Sequence, residues 1–241
     1  MRRPVITLTT DFGLRDPYVA SMKGVILSLC PEAAIVDITH EIPKFDVRAG
    51  AVVLAQASPW FPRGTVHVGV VDPGVGTSRR AIVVVSERFF FVGPDNGLLM
   101  LAALRDGLRR VYAIENEELM LEEVSRTFHG RDIFAPVAAR LASGLRPEEV
   151  GPEVTDYVMP RFARPEVRGG AVRGEVMHID GFGNIITNIP EELLSELGVS
   201  DGSEVEVRMG QHELRLKLCS AYGEVRPGEL LAIIDSWGML E

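Results

Sequence analysis

The sequence predicts an α/β fold: a mostly parallel N-terminal sheet with helices on both faces, followed by a smaller C-terminal β-barrel domain. Two observations lead to this prediction. In the first two thirds of the chain, short apolar runs alternate with segments of helical periodicity, which is typical of a parallel sheet whose strands are joined by helices. After about residue 160, short strand-like runs separated by turn residues follow one another, as in a small barrel or sandwich.

The first part opens with a strand, PVITLTT, and a helix. Asp16 and Pro17 form an N-cap and first-turn pair for this helix, and Pro31 ends it. Further helices are predicted over VRAGAVVLAQA, which Asp46 opens, over NGLLMLAALRDG, and over IFAPVAARLAS, which Asp132 caps. The intervening strands are AAIVDIT, TVHVGVV, AIVVVS, RFFFVG and RVYAIE.

The composition changes at the segment PRFARPEVRGG, which is rich in proline, glycine and arginine. We therefore expect an α/β domain over residues 1–160, a linker over 161–171 and the β-barrel domain over 172–241. The last part carries one predicted short helix, PEELLSELG. Its predicted strands are AVRGEVMHID, NIITNI, SEVEVRM, HELRLKL and ELLAIID.

Composition and charge narrow the class of protein. The chain has 241 residues, of which 46% are hydrophobic, enough for one large core and a smaller one. Its net charge of −9 argues against a nucleic-acid partner, and no apolar run is long enough to span a membrane. The N-terminus lacks the pattern of a secretory signal. Cys30 and Cys219 have no metal-binding spacing, so we expect reduced core residues in a cytoplasmic protein.

Polar clusters follow several of the predicted strands. They are TTDFGLRD, DITHEIP, DPGVGTSRR and GPDNG, and a fifth cluster, TFHGRD, precedes a helix. In open α/β sheets, ligands bind beyond the carboxyl ends of the strands, so these clusters would converge on one edge of the sheet. Each also has a purely structural interpretation. Asp16 and Asp132 are good helix caps, and a residue such as His40 is more often a buried structural histidine.

The glycine-rich segment DPGVGTSRR lacks the lysine and the spacing of a P-loop, and GxGxxG is absent. The sequence also has no HxH or HExxH motif, which argues against a metal-dependent hydrolase. A metal-free alternative places Asp72, Arg79 and His129 around a water molecule that they stabilise as hydroxide. An ordinary Asp72–Arg79 salt bridge beside a helix-capping histidine fits the spacing equally well.

Five ordered motifs carry a family resemblance: TDFG, DPGVGTSRR, PDNGLL, TFHGRDIFAP and DGFGNIITNI. Together they resemble the S-adenosylmethionine hydroxide adenosyltransferases, relatives of the 5′-fluorinase and 5′-chlorinase. The resemblance implies displacement at C5′ of S-adenosyl-L-methionine by hydroxide, which yields adenosine and L-methionine without a metal or other cofactor. It also implies a homotrimer, with active sites at subunit interfaces between the N-terminal domain of one subunit and the C-terminal domain of the next.

The same resemblance assigns roles to individual residues of the N-terminal part. Asp72, Arg79 and His129 match the residues that generate and hold the attacking hydroxide. Asp11 resembles the acid that binds the ribose hydroxyls, since a carboxylate accepts two hydrogen bonds from a cis-diol. Phe45 aligns with an aromatic residue that packs on the nucleoside.

Further substrate-binding residues are implied, most of them near the C-terminus. Asn184 resembles the residue that reads adenine, because an amide can pair with the N6/N7 edge. Asp16 and Asp180 match acids that receive the substrate's ammonium group. Ser236 resembles a contact to the methionine carboxylate, and Phe182 belongs to the same set of binding residues.

Three positions depart from the halogenating relatives. Trp237 stands where those enzymes often have an arginine, Asp72 stands where the fluorinase has an aromatic residue, and Gly130 replaces a serine that contacts fluoride. The resemblance therefore implies water as the nucleophile. Two other hypotheses remain open: a module that binds S-adenosylmethionine or adenosine without turnover, and a metal-dependent hydrolase.

Overall fold

A computed structural model describes residues 3–162 and 164–241 of the chain. Residues 1 and 2 of the predicted α/β domain, and residue 163 of the predicted linker, lie outside the described part. Contacts divide the chain into an N-terminal unit, Met1–Arg161, and a C-terminal unit, Phe162–Glu241.

The N-terminal unit alternates strands and helices. Its elements are β1 (Val5–Thr10), α1 (Tyr18–Leu29), β2 (Ala34–Thr39), α2 (Val47–Ala57), β3 (Val66–Val70), β4 (Ala81–Ser86), β5 (Phe90–Pro94), α3 (Met100–Arg105), β6 (Leu108–Ala113) and α4 (Ala135–Ala142). The six strands form one sheet in the order β2-β1-β3-β5-β4-β6. The predicted α/β class with a parallel-rich sheet is confirmed.

One strand of this sheet runs against the others. β1, β2, β3 and β5 pair in parallel, whereas β4 is antiparallel to both β5 and β6. Residues 87–89 alone connect β4 to β5. A connection this short permits a hairpin but not the crossover that a parallel pair needs, so the sheet is mixed at this side.

The core lies between the sheet and its helices. Ile6 and Leu8 of β1 pack in one cluster with residues of α1 and α4, and these two helices also contact each other. His67 of β3 points the opposite way, into a pocket made by Phe61, Phe89 and other rings, while α2 packs against α3. All five residues of β3 are buried, as expected for a strand covered on both faces.

The helix boundaries follow the sequence pattern in part. Asp46 caps α2 as predicted, accepting a hydrogen bond from the backbone of Ala49 at 2.9 Å. The prediction for Asp16 is wrong: Pro17 occupies the capping position of α1 without a side-chain hydrogen bond, and Asp16 is exposed. α3 begins at Met100, four residues later than predicted.

Asp132 is also not the predicted helix cap. It lies inside a π-helical turn, Gly130–Phe134, which leads directly into α4. Its carboxylate is fully buried, accepts a hydrogen bond from the backbone of Ser125 at 2.9 Å and pairs with Arg131 at 2.6 Å. Because Ser125 belongs to the preceding loop, Asp132 fixes that loop instead of starting the helix.

The C-terminal unit consists of short strands and one helix. They are β7 (Glu166–Arg168), β8 (Ala171–Arg173), β9 (Val176–Ile179), β10 (Ile185–Thr187), α5 (Glu191–Glu196), β11 (Glu204–Met209), β12 (His212–Cys219) and β13 (Ala232–Ile233). The described strands form three small sheets, β7-β8, β9-β10 and β11-β12-β13. The stretch predicted as a linker, 161–171, therefore contains β7 and the first residue of β8. Among the described residues, no helix has the length and apolar character needed to cross a membrane.

Candidate active site

The carboxyl ends of two parallel strands bring two of the predicted acidic residues to one edge of the sheet. β1 and β3 are neighbours in register, with Thr10 opposite Val70. Asp11 follows β1 directly, and Asp72 lies two residues beyond β3. Both side chains are largely buried. This is the edge at which open α/β sheets bind their ligands.

Asp72, Arg79 and His129 form one hydrogen-bonded cluster. Arg79 holds Asp72 with two donors, Nε to Oδ1 at 3.1 Å and Nη2 to Oδ2 at 2.5 Å. Its Nη2 also lies 2.9 Å from Nδ1 of His129. The side chains of Arg79 and Asp72 are only 8% and 5% exposed. The three residues predicted to be catalytic are thus in direct contact.

The cluster fixes where its protons lie. A guanidinium can only donate, so Nδ1 of His129 accepts from Arg79 and the neutral ring carries its proton on Nε2. Burial lowers the pKa of His129, and the charge of Arg79 lowers it further, while Asp72 and Asp132 act in the opposite direction. Burial raises the pKa of Asp72, against the stabilising effect of Arg79 on its carboxylate.

Arg79 retains one N–H donor. A guanidinium has five, and four are used here: two on Asp72, one on His129 and one on the carbonyl of Arg80 at 3.1 Å. The remaining donor of Arg79 and the Nε2–H of His129 are the groups that this cluster can offer to an anion. The guanidinium also lies 5.5 Å from the ring centroid of Phe134.

The glycine loop after β3 packs directly on the segment that carries His129. Gly76 has a φ of +74°, and a Cβ at this position would lie 2.2 Å from the carbonyl oxygen of Arg126. Only glycine allows both this backbone conformation and this approach. Because Arg126 precedes His129 by three residues, the contact helps to set the separation between Arg79 and His129.

The polar residues after β5 have supporting positions. Asn96 donates from Nδ2 to the carbonyl of Val71 at 2.8 Å and so holds the backbone next to Asp72. Asp95 instead pairs with Arg80 at 2.8 Å. The two arginines of the motif therefore have different partners. The side chain of Arg79 bonds to Asp72 and His129, whereas that of Arg80 bonds to Asp95. Sequence analysis noted Asn96 as part of a strand-end cluster but gave it no role.

Asp11 and Phe45, both predicted to bind the nucleoside, are hydrogen-bonded to each other. The backbone N–H of Phe45 donates to Oδ2 of Asp11 at 2.9 Å, and the ammonium of Lys44 donates to the carbonyl of Asp11. Phe45 has a φ of +66°, which is unfavourable for a residue with a Cβ. The residue is 68% exposed. Lys44 is a contact that no sequence pattern indicated.

An aromatic cluster lies beside these segments. The rings of Phe12, Tyr18 and Phe128 have centroids 5.2 to 5.8 Å apart, mostly edge to face. Phe12 follows Asp11, and Phe128 precedes His129. The contact between Phe12 and Phe128 thus joins the segment that carries Asp11 to the segment that carries His129. Sequence analysis did not single them out, although their adjacency to Asp11 and His129 is visible in the motifs.

In the C-terminal unit, Asp180 and Asn184 close a tight loop around Phe182. Asp180 accepts hydrogen bonds from the backbone N–H of Phe182 at 2.8 Å and of Asn184 at 2.9 Å, and from the Asn184 amide at 3.1 Å. Burial raises the pKa of Asp180, but the hydrogen bonds outweigh it and lower the pKa below the usual value. Phe182 is 94% exposed.

These bonds orient the amide of Asn184. A carboxylate can only accept, so the NH₂ group faces Asp180 and the carbonyl oxygen is available for other donors. Tyr222 lies 3.5 Å from the same NH₂ group, and its hydroxyl donates to Glu241 at 2.6 Å. This hydrogen bond raises the pKa of Tyr222 to about 12. Neither Tyr222 nor Glu241 was indicated by the sequence.

Two predicted binding residues do not join these clusters. Asp16 is exposed before α1, and Ser236 is exposed in a turn that Asp235 closes by accepting from the backbone of Trp237 at 2.7 Å. Within residues 3–162 and 164–241, no group of three or more His, Cys, Asp or Glu side chains is placed to hold a metal ion.

The mixed sheet, the cluster at its carboxyl edge and the separate second unit define a two-domain α/β protein with a candidate ligand site at the strand ends. Residues 6–151 match the family model of the SAM hydroxide adenosyltransferase N-terminal domain, and residues 174–241 match that of the C-terminal domain. The chain belongs to the SAM hydroxide adenosyltransferase family.

Individual relatives agree with this assignment. The chain is 44% identical over 240 residues to a Salinispora tropica protein named (R)-S-adenosyl-L-methionine hydrolase. This match covers 98% of this chain and 88% of the relative. It is 32% identical over 270 residues to a Nocardia brasiliensis fluorinase, over 99% of this chain and 89% of the relative. A crystal structure of an uncharacterized conserved protein from Thermotoga maritima matches with a TM-score of 0.92 and 46% identity, over 98% of this chain and 90% of that one. The predicted relationship is confirmed.

Proposed function

We propose that this protein hydrolyses S-adenosyl-L-methionine to adenosine and L-methionine. Its family and its relatives named as hydrolases of (R)-S-adenosyl-L-methionine support this activity. The observation that carries the chemistry is the buried cluster of Asp72, Arg79 and His129. It offers two N–H donors to an anion at the edge of the sheet where ligands bind.

The proposed reaction is a single displacement. The oxygen of water bonds to C5′ of the substrate while the C5′–S bond breaks and its electron pair passes to sulfur. Methionine leaves as a neutral thioether, so the leaving group needs no acid, and the water proton is released to solvent. The enzyme contributes alignment and a protected pocket.

In this mechanism the cluster stabilises the nucleophile as hydroxide. Bulk water has a pKa of about 15.7, so hydroxide needs strong local stabilisation at neutral pH. The remaining donor of Arg79 and the Nε2–H of neutral His129 supply it. Asp72 holds the guanidinium in position with a two-point contact. The positive charge and these preorganised donors support a metal-free reaction.

The binding residues fit the substrate's parts. Asp11 already accepts from Phe45 through Oδ2, which leaves Oδ1 for the ribose hydroxyls. The carbonyl oxygen of Asn184 is oriented to accept from the adenine amino group. Phe45 and Phe182 offer exposed rings for packing on the nucleoside.

We assign the methionine end of the substrate to three polar groups. Asp16 and Asp180 would receive the ammonium, and Ser236 would contact the carboxylate. Oδ1 of Asp180 already accepts two hydrogen bonds from its own loop, whereas Oδ2 accepts one and can accept another from the ammonium. Asp16 and Ser236 are both exposed and therefore accessible to a ligand.

We further propose a cytoplasmic homotrimer with sites at its subunit interfaces. The proposed binding residues occur in both units of the chain, as expected for a site built from more than one surface. The two cysteines are buried and unpaired, which supports a reducing compartment. A closed barrel in the C-terminal unit is supported by additional strand bridges between Pro190 and Met239 and between Ile234 and Leu240.

A halide is the second candidate nucleophile, because the chain has a fluorinase among its relatives. Two features favour water. The carboxylate of Asp72 lies within the cluster and repels a halide that must enter as an anion, whereas water enters as a neutral molecule and is deprotonated at the site. Gly130 lacks a hydroxyl, and a Cβ there would already be 3.2 Å from Met22 and 3.3 Å from Phe128, so a serine would crowd both side chains.

The test is incubation of the purified protein with each separated sulfur epimer of S-adenosyl-L-methionine, followed by mass spectrometry of the products. We expect adenosine and methionine, with activity unaffected by EDTA and little 5′-chloro-5′-deoxyadenosine at high chloride. Loss of activity in EDTA that a divalent ion restores would support the metal-dependent alternative. Binding without turnover would support the binding module.

A further inference from the structure

Three polar side chains, of which His40 and Thr10 are buried and Asp37 is exposed, link β2 to the end of β1, outside the Asp72 cluster. Asp37 of β2 lies 3.1 Å from Nε2 of His40, and Nδ1 of His40 lies 2.9 Å from the hydroxyl of Thr10. His40 is 4% exposed and Thr10 is fully buried. The proposed mechanism uses none of these three side chains.

The hydrogen bonds determine a direction along this series of polar side chains. The hydroxyl of Thr10 accepts from the backbone of Phe12 at 3.2 Å, so its own proton is free for Nδ1 of His40. Nε2 of His40, which then carries the ring proton, lies 3.1 Å from Oδ1 of Asp37, a close contact without hydrogen-bond geometry. Lys23 lies 2.5 Å from the other oxygen of Asp37. Burial raises the pKa of Asp37, but Lys23 and His40 outweigh it and lower the pKa, so the carboxylate stays an acceptor.

His40 also connects two backbone segments. Its carbonyl accepts from Gly13 at 2.7 Å, and Ile42 donates to the carbonyl of Thr10 at 3.3 Å. Segment 10–13 is therefore held against segment 40–45 from both the backbone and the His40 side chain. These are the segments that carry Asp11 and Phe45, which bond to each other at the far end of the contact.

We propose that His40 is a positioning residue for nucleoside binding, acting through Thr10 to hold Asp11 and Phe45 in their binding geometry. This inference rests on the proposed function. Phe45 needs such support, because a positive φ is unfavourable for a residue with a Cβ and persists only where the surroundings impose it. Asp37 and Lys23 anchor the other end of this series of polar side chains to β2 and α1.

The inference predicts a split between binding and chemistry. In His40→Ala, the affinity for adenosine and the KM for substrate should each worsen by about tenfold or more, because small displacements of binding groups have large effects. The kcat should change far less, since Asp72, Arg79 and His129 do not contact His40. A residue that only stabilised the fold would lower the melting temperature without this selective effect.

Two conservative variants distinguish the contact of His40 with Thr10 from its contact with Asp37. The amide oxygen of an asparagine lies near the position of Nδ1, so His40→Asn should keep the bond from Thr10 and retain more affinity than His40→Ala. Asp37→Asn should have an intermediate effect, because it weakens the anchor but leaves Thr10 and His40 in contact. His212→Ala, on an exposed part of β12, is the matched control and should behave as wild type.

The experiment measures adenosine binding by calorimetry, kcat and KM by product formation, and hydrogen exchange at the amides of Gly13 and Phe45. We expect faster exchange and weaker binding in His40→Ala, with partial recovery in His40→Asn. If the wild type is active and a folded His40→Ala protein binds adenosine as tightly as the wild type, this inference is overturned and the proposed function is not. A wild-type protein that neither binds adenosine nor turns over substrate would overturn the proposed function as well. If His40→Ala does not fold, His40→Asn and Asp37→Asn are compared with the wild type instead. Adenosine affinities equal to that of the wild type in both variants would equally overturn the inference.

Discussion

Arg79 is the residue on which the proposed catalytic geometry depends most. Its guanidinium spans both oxygens of Asp72 and the Nδ1 of His129, and one more donor binds a backbone carbonyl. A lysine would keep the charge but has no planar fork, so it cannot make the two-point contact with Asp72 and still reach His129. Charge alone is therefore not sufficient at this position.

We expect Arg79→Lys to lower kcat on the order of a hundredfold or more, because preorganised stabilisation of the nucleophile is lost. Adenosine affinity should change little, since Asp11 and Asn184 are retained. Steady-state kinetics with calorimetry of adenosine binding measures both quantities. Arg208→Lys, at an exposed position of β11, is the control. Normal kcat in Arg79→Lys would contradict the assigned role.

The titration of His129 provides a second prediction. Burial and Arg79 both disfavour the imidazolium, so its pKa should lie below the usual 6.5 and the ring should stay neutral at pH 7. Asp72 acts in the opposite direction, so Asp72→Asn should lower the pKa further. NMR titration of the His129 ring in both proteins measures the two values. A pKa above 6.5 in the wild type, or an upward shift in Asp72→Asn, would contradict this electrostatic description.

Motif residues of the site could be predicted from the sequence, while their supports could not. Asp72, Arg79 and His129 stand in long ordered motifs, so their proximity was expected. Lys44 and Tyr222 are single polar residues outside any pattern, and only the folded chain brings them to Asp11 and Asn184. The prediction of Asp132 as a helix cap is wrong, because its local sequence fits a cap but its carboxylate bonds to Ser125 of the preceding loop and to the adjacent Arg131.

At the scale of elements, the glycine loop after β3 packs closely against the segment before His129. Gly76 touches the carbonyl of Arg126, and the loop has no room for a side chain there. Gly64 offers a matched comparison: it also has a positive φ, of +86°, but a Cβ would meet nothing within 4 Å.

We expect Gly76→Ala to reduce kcat strongly and to lower stability by more than Gly64→Ala does. Alanine at Gly64 should cost about 1–2 kcal/mol, the usual penalty of a left-handed conformation, with kcat unchanged. At Gly76 the same penalty is joined by a backbone clash that displaces Arg79 from His129. Denaturant unfolding and steady-state kinetics distinguish the two variants. Equal effects at both glycines would show that the loop contact does not matter.

Element directions were harder to predict than element types. The strand and helix alternation correctly indicated the α/β class, but an apolar run such as AIVVVS has no direction of its own. The three residues between β4 and β5 do carry that information, since they are too few for a crossover. In the C-terminal unit, each predicted strand segment overlaps an observed strand. β7 was not predicted: it lies in residues 161–171, the stretch predicted as a linker, and pairs with β8.

At the scale of the whole molecule, the proposed assembly makes a separable prediction. Asp72 and Asn184 belong to different units, and in the proposed homotrimer each site uses residues of more than one subunit. Mixing inactive Asp72→Asn and Asn184→Ala proteins under conditions of subunit exchange should therefore restore part of the activity. Light scattering should give the mass of a trimer. A monomeric mass, or mixtures that stay inactive, would contradict the assembly.

The central claim is that water attacks C5′ of S-adenosyl-L-methionine. The most direct test is a single turnover in H₂¹⁸O, followed by mass spectrometry of the products. We predict one ¹⁸O atom in adenosine, located at the 5′-hydroxyl, and none in the methionine. Release of 5′-methylthioadenosine, or adenosine formed in H₂¹⁸O without the label, would contradict the claim.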